Sequence, residues 1–291
     1  MKHIIITADD FGMCEDVDIA ILDCIKIGTV TSTNVLVNMS SLSKAKELLN
    51  YHVSIGIHWN ITAGKSVLSK KDIPTLVDDD GNFYDIKELK RRVKNKKIDC
   101  SDIKNELIAQ YKKFVEVFGI KPAYWNTHQN SSLITELIPF FFKAGKEIGI
   151  KTTRNFVRCY GDFRQSSFKR RLRELIVRIG VNYYFNFLAK KYYIMADARY
   201  FSFNSYAKLD LKKLCECLSS CEFETIELVC HPATSDSCPY FGSISDLRVK
   251  EYDFFFKNGE LLKHSFSNNG LSIETFDVLK ELDNEKIQRY Y

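Results

Sequence analysis

Asp9 and Asp10 stand side by side behind the apolar run Ile4 to Ile6, in the stretch IIITADDFG. Adjacent acids repel, and burying either one is costly unless a cation or a hydrogen-bond donor compensates. On this stretch alone an Asx-turn, with one acid capping the next helix, explains the pair equally well. Three histidines shift the balance. His58 ends the strand-like run 53–59, His128 ends 122–128 and His231 follows 225–230, so half of the six histidines occupy strand ends. One carboxylate and two imidazoles form a ligand set for a divalent cation that leaves positions open for water and substrate. Such a site performs hydrolysis: the metal acidifies a water and polarises a carbonyl or phosphoryl oxygen, and a nearby carboxylate takes the proton. Two neighbouring aspartates suit a division of labour between ligand and base. Side chains alternate along a strand, but at its end the chain turns and both acids can face one cavity.

The elements that must position these residues follow a β-α rhythm. The run Ile4 to Ile6 reads as a strand buried on both faces. Residues 15–27 have Val17, Ile21, Cys24 and Ile25 on one side and Gly28 as a stop. Strands are predicted at 30–38 and 53–59, with a short helix at 43–50 between them. That alternation implies a parallel sheet with crossover helices. Residues 63–100 are less regular, and their basic run at 87–97 reads as a solvated helix face. Ser101 is expected to cap a helix over 102–118 that stops at Gly119. A strand-like return over 122–128 precedes a helix over 136–148, with Pro139 tolerable near its start, and a strand-like run at 150–156. Residues 158–206, basic and aromatic, read as a helical insertion with its Leu, Ile and Phe packed on the body and its Lys and Arg in water. A helix near 209–219, a strand at 225–232, a helix at 245–263 and a last strand and helix at 271–283 complete the chain.

Composition sets the bounds. The 291 residues are 45% hydrophobic, enough for a single domain over 1–291. An α/β barrel of roughly 250 residues with extra segments fits that length. A net charge of +5 is too mild to call for nucleic acid. The nine cysteines match no standard zinc spacing, C-x-C at 215 and 217 included, and read as reduced thiols. No stretch approaches a membrane span and no leader pattern opens the chain, so a soluble, cytoplasmic protein is expected. G-x-S-x-G, Walker A and G-x-G-x-x-G are all missing, which removes the main support for serine-hydrolase, P-loop and dinucleotide readings.

Several longer stretches resemble one family. TADDFGMCEDVDIAILDCIKIGTVTSTNVLVNM at 7–39, GIHWNITAG at 56–64, WNTHQN at 125–130, HP at 231–232 and R-x-x-E at 248–251 are similar, in order, to the YdjC-like carbohydrate deacetylases, which include chitooligosaccharide deacetylases. The resemblance implies a distorted (β/α) TIM-like barrel and removal of N-acetyl groups from amino sugars at a divalent metal, magnesium or zinc. Carried over by residue, it implies Asp10, His58 and His128 as metal ligands, Asp9 as general base and His231 as the acid. Asn60, Thr62 and Arg248 would contact the sugar, although Asn60 and Thr62 serve equally well to set their loop. Trp59 is expected to pack rather than stack on sugar, since it faces opposite to His58. The family usually has an acid where Asn126 stands and a second histidine where Asn130 stands. A small carbohydrate is the expected partner, with no nucleic acid and no membrane, and a homodimer is compatible with the family. Two rivals stay open: another metal hydrolase such as a phosphoesterase, and a sugar-binding or regulatory protein on a catalytically impaired scaffold.

Overall fold

The computed structural model describes residues 1–158, 168–192, 198–202, 210–241 and 245–279. Strand β1 (Lys2–Phe11) lies at the centre, and Ile4, Ile5 and Ile6 are fully buried, as expected of a strand covered on both faces. Around it stand β2 (Ser32–Val35), β3 (Ser54–Trp59), β4 (Trp125–Thr127), β5 (Asn155–Arg158), β6 (Arg199–Ser202), β7 (Thr225–Cys230) and β8 (Leu271–Glu274). All ladders are parallel, in the order β4-β3-β2-β1-β7-β6-β5, with β8 added to β1. One edge of β1 serves two strands: Lys2 to Ile5 pair with β8, and Thr7 to Phe11 with β2. Thr31 stitches that junction, its hydroxyl donating to the Glu274 carbonyl at 2.5 Å and accepting from Ile6 N at 3.3 Å. Among the described residues the ladder does not close. Its ends, β4 and the segment leading into β5, meet there at the parallel bridge Trp125–Thr153, where Trp125 N donates to Thr152 O at 3.1 Å. This is a barrel-like parallel sheet, distorted at both places.

The helices follow local rules. Helix 15–26 opens with Glu15, Asp16 and Asp18 against its positive end. Helix 100–118 is capped by Asp99, whose carboxylate accepts from Ser101 N, rather than by Ser101 as expected. A carboxylate two residues earlier satisfies one of the free amides of the first turn and carries charge toward the dipole. Gly119 then ends the helix at φ +69°. Pro139 lies in the first turn of helix 138–148, where its missing N–H costs no hydrogen bond. The basic run lies on helix 86–94, which Asp85 caps. The single helix expected over 245–263 is broken into 245–252, a π-turn at 253–257 and 259–268.

The expected insertion at 158–206 needs correction. Helix 168–192 does occupy it, but β6 also falls within it and pairs between β5 and β7, so this stretch completes the sheet. The rest of the segment, and the helix expected toward 283, lie outside the described residues apart from the first residues of the latter.

Alternation along the strands sorts side chains into two sets. Ile4, Ile6 and Ala8, with Ile55, Ile57, Trp59, Trp125, Ile226, Leu228 and Cys230, join the core beneath the helices. The alternate positions face the interior. At its lower end Ile5, Tyr124 and Phe276 make an apolar plug, with the last two rings stacked at 4.0 Å. Above it the interior turns polar: Tyr124 Oη meets Ser32 Oγ at 2.7 Å, and Glu227 binds Arg154. The uppermost layer holds Asp9, Asn34, His58 and Asn126, at the C-terminal strand ends where barrel folds keep their chemistry.

Candidate metal centre

Strict alternation would turn Asp10 out of the interior with Ala8. A β-bulge prevents this. Ala8 pairs with Thr33 but Phe11 with Val35, so Asp9 and Asp10 together oppose Asn34. Asp10 takes φ +78°, an uncommon conformation for a non-glycine residue, and both carboxylates enter one cavity. Asp18, buried in the following helix, fastens the turn by accepting from Gly12 N at 2.6 Å and from Ser41 Oγ at 2.7 Å.

Asp10 meets both imidazoles through one oxygen. Its Oδ1 is 3.0 Å from His128 Nδ1 and 3.3 Å from His58 Nε2. Arg248 occupies the other oxygen, with Nη2 donating to Oδ2 at 2.6 Å and the guanidinium 4.4 Å above the Phe241 ring. Burial alone would raise the Asp10 carboxyl, but Arg248 and His128 hold it well below the usual carboxylate range. Ligand atoms of Asp10, His58 and His128 all lie within 4.8 Å of one another, and all three residues are buried. His128 Nε2 is buried without a partner among the described residues. An ionised carboxylate, two imidazoles and an unsatisfied ring nitrogen fit a divalent cation.

Asp9 is held apart from this cluster. Arg154 clamps it with two bonds of 2.7 Å, and Asn34 Nδ2 donates to Oδ1 at 2.5 Å. Burial raises its pKa, yet the Arg154 charge and hydrogen bonds outweigh that and bring it to about 2. Arg154 in turn binds Glu227 through Nε and Nη2, with the shortest bond at 2.8 Å. His231 Nε2 lies 3.8 Å from Asp9 Oδ2. Burial lowers its pKa to about 4, against the pull of both aspartates, so the ring is neutral at pH 7. Its backbone N–H donates to Glu251, whose carboxyl burial pushes up to about 8.

The remaining sequence expectations sort by what each side chain touches. Trp59 is buried in the outer core, its Nε1 donating to Leu107 O at 3.1 Å and its ring 5.1 Å from Trp125. Asn60 builds its own loop: Oδ1 accepts from Thr62 N and Ala63 N, and Nδ2 donates to Asn38 Oδ1 and Ala63 O. Thr62 is buried in the same loop, its Oγ1 3.4 Å from Asn60 Oδ1. Gln110 pins the loop from helix 100–118, exchanging bonds with Asn60 N and O. Arg248 is buried against Asp10, with Nη2 on its carboxylate and Nε and Nη1 without a partner among the described residues. Asn130 points outward at φ +52°, whereas Asn126 is buried beside His58. Arg154, Asn34 and Glu227 were not foreseen. The available signal was a charged residue inside a strand-like run, Arg154 within 150–156 and Glu227 within TIELVC.

The chain is similar to several known proteins. A family model described as YdjC-like protein matches residues 3–259. A carbohydrate deacetylase of Danio rerio is 30% identical over 152 residues, covering 52% of this chain and 49% of that protein. A chitooligosaccharide deacetylase of Yersinia pestis (strain Pestoides F) is 28% identical over 164 residues, covering 55% of this chain and 63% of that one. The chain thus spans about half the length of the first of these relatives. A crystal structure from Enterococcus faecalis V583, described as a cellobiose-phosphate cleavage protein, has a TM-score of 0.74 at 20% identity. It covers 96% of this chain and 98% of its own, a likeness of fold.

Proposed function

Since the chain belongs to the YdjC-like protein family, we propose that it is a metal-dependent hydrolase removing N-acetyl groups from amino sugars or short chitooligosaccharides. The observation that carries the reading is the buried Asp10, His58 and His128 cluster with Asp9 and His231 beside it. Asp10, His58 and His128 would hold one divalent ion, magnesium or zinc. When bound, that ion acidifies water and polarises the acetamide oxygen. Asp9, held at about 2, is a weak base and accepts a proton only from a strongly acidified water. Arg154 and Asn34 fix its direction. His231 is neutral at rest, so the proton it would give to the leaving nitrogen would arrive during the reaction, with Asp9, 3.8 Å away, as its proposed source. Arg248 keeps Asp10 Oδ1 turned to the imidazoles.

We take residues 1–291 as one catalytic domain, and propose a cytoplasmic setting, where buried thiols such as Cys24 and Cys230 stay reduced. No described helix is long and apolar enough to cross a membrane. A two-metal phosphoesterase would require more ligands than the three that converge among the described residues. The test is acetate release from N,N′-diacetylchitobiose by the metal-loaded wild type and Asp9→Asn. The variant should retain metal and lose turnover at least a hundredfold; wild-type turnover in Asp9→Asn sinks the base assignment.

A further inference from the structure

Asn126 lies directly across the β3–β4 ladder from His58, fully buried. The two ends of its amide meet unlike neighbours. One end faces three donors: Asn34 Nδ2 at 2.8 Å, Arg154 Nη2 at 3.0 Å and Arg154 Nη1 at 3.2 Å. A guanidinium has no acceptor, and neither does an amide nitrogen. That end of Asn126 is therefore the oxygen. The end 2.5 Å from His58 Nδ1 is then the NH2, which donates to that ring nitrogen.

The consequence falls on the imidazole. A neutral ring carries one proton, and the nitrogen that accepts a hydrogen bond is the one without it. His58 Nδ1 accepts from Asn126, so the proton sits on Nε2, the nitrogen that faces Asp10 Oδ1 at 3.3 Å. A protonated ring nitrogen has no lone pair for a cation. To ligate through Nε2, His58 must carry its proton on Nδ1 and donate it outward, as ligating histidines do. Asn126 offers an acceptor there only if its amide turns over, which sets its NH2 against Arg154 and Asn34.

We propose that Asn126 is a positioning residue that holds His58 in the tautomer opposed to metal ligation, so that metal loading requires the Asn126 amide to turn over. The proposal rests on Asp10, His58 and His128 being the metal centre. A carboxylate at this position would remove the conflict, because both of its ends accept: one from Arg154 and Asn34, the other from His58 Nδ1–H.

Two measurements test it. The first is ring 15N spectroscopy on metal-free wild type labelled at histidine, at mildly alkaline pH, with His58 identified by its loss in His58→Gln. Nε2–H with an unprotonated Nδ1 is expected; the reverse tautomer, or a ring protonated on both nitrogens, overturns the proposal. The second is calorimetric titration of zinc into wild type and Asn126→Asp, each checked for a cooperative thermal melt. The variant should bind at least tenfold more tightly, and equal or weaker binding overturns the proposal. If neither protein binds zinc or any other divalent ion, the metal-centre reading fails instead, and the tautomer alone decides what Asn126 does to His58. It also decides the case if Asn126→Asp does not fold.

Discussion

Arg154 reaches two carboxylates at once, Asp9 through both terminal nitrogens and Glu227 through Nε and Nη2. Burying a carboxylate unpaired is prohibitive, and a planar guanidinium that bonds both acids in fixed geometry offsets the cost. This pairing lets Asp9 stay ionised beside a second acid. His231 sits at the edge of the same network and answers to pH. Its folded pKa of about 4 lies below the ordinary value of 6.5, so between those values the unfolded chain binds a proton that the folded chain refuses. The stability it contributes is fully present above about pH 6.5 and is lost as pH falls toward 4. Urea unfolding of metal-free wild type and His231→Gln at neutral and acid pH isolates this residue from other titrations. Relative to the variant, wild type should lose about 2 kcal/mol across the window, discounted for the ring's partial exposure. A constant difference would show that His231 does not titrate this way.

At the scale of the element, packing inside the barrel places its own demands. A Cβ on Gly56 would lie 2.5 Å from the Tyr124 ring, which is held between Phe276 and the Ser32 hydroxyl and cannot retreat. Gly56→Ala should therefore destabilise by about 1–3 kcal/mol, read as a lowered melting temperature, although no reacting group is touched. An unchanged melt would mean that the plug yields. Gly56 also illustrates how far the elements could be read in advance. Alternation in VSIGIHW correctly turned Trp59 away from His58, and the isoleucines of β1 announced a strand covered on both faces. Those are local patterns. The bulge that brings Asp10 inward was not legible, because it exists only as a mismatch of register between β1 and β2. Nor was the strand inside 158–206, where a four-residue element is outweighed by the long basic and aromatic run before it. Asn60 was ambiguous for the same reason: its bonds to Asn38 and Gln110 join residues far apart in sequence.

The whole molecule stacks these levels. An apolar plug fills the lower interior, a hydrogen-bonded layer with Arg154 and Glu227 lies above it, and the acids and imidazoles crown the strand ends. The three strand-end histidines were visible as a set, yet the arginines that hold the two aspartates were not: Arg154 comes from the run into β5 and Arg248 from the helix after β7. The central claim is that Asp10, His58 and His128 form one hydrolytic metal centre. Zinc titration by calorimetry, paired with acetate release from N,N′-diacetylchitobiose at saturating metal, tests it most directly in wild type and His58→Ala. One equivalent of zinc bound by wild type, with acetate released, and both lost or sharply weakened in a folded His58→Ala protein, is the predicted result. Metal bound equally by both proteins, or acetate released without regard to His58, would contradict it.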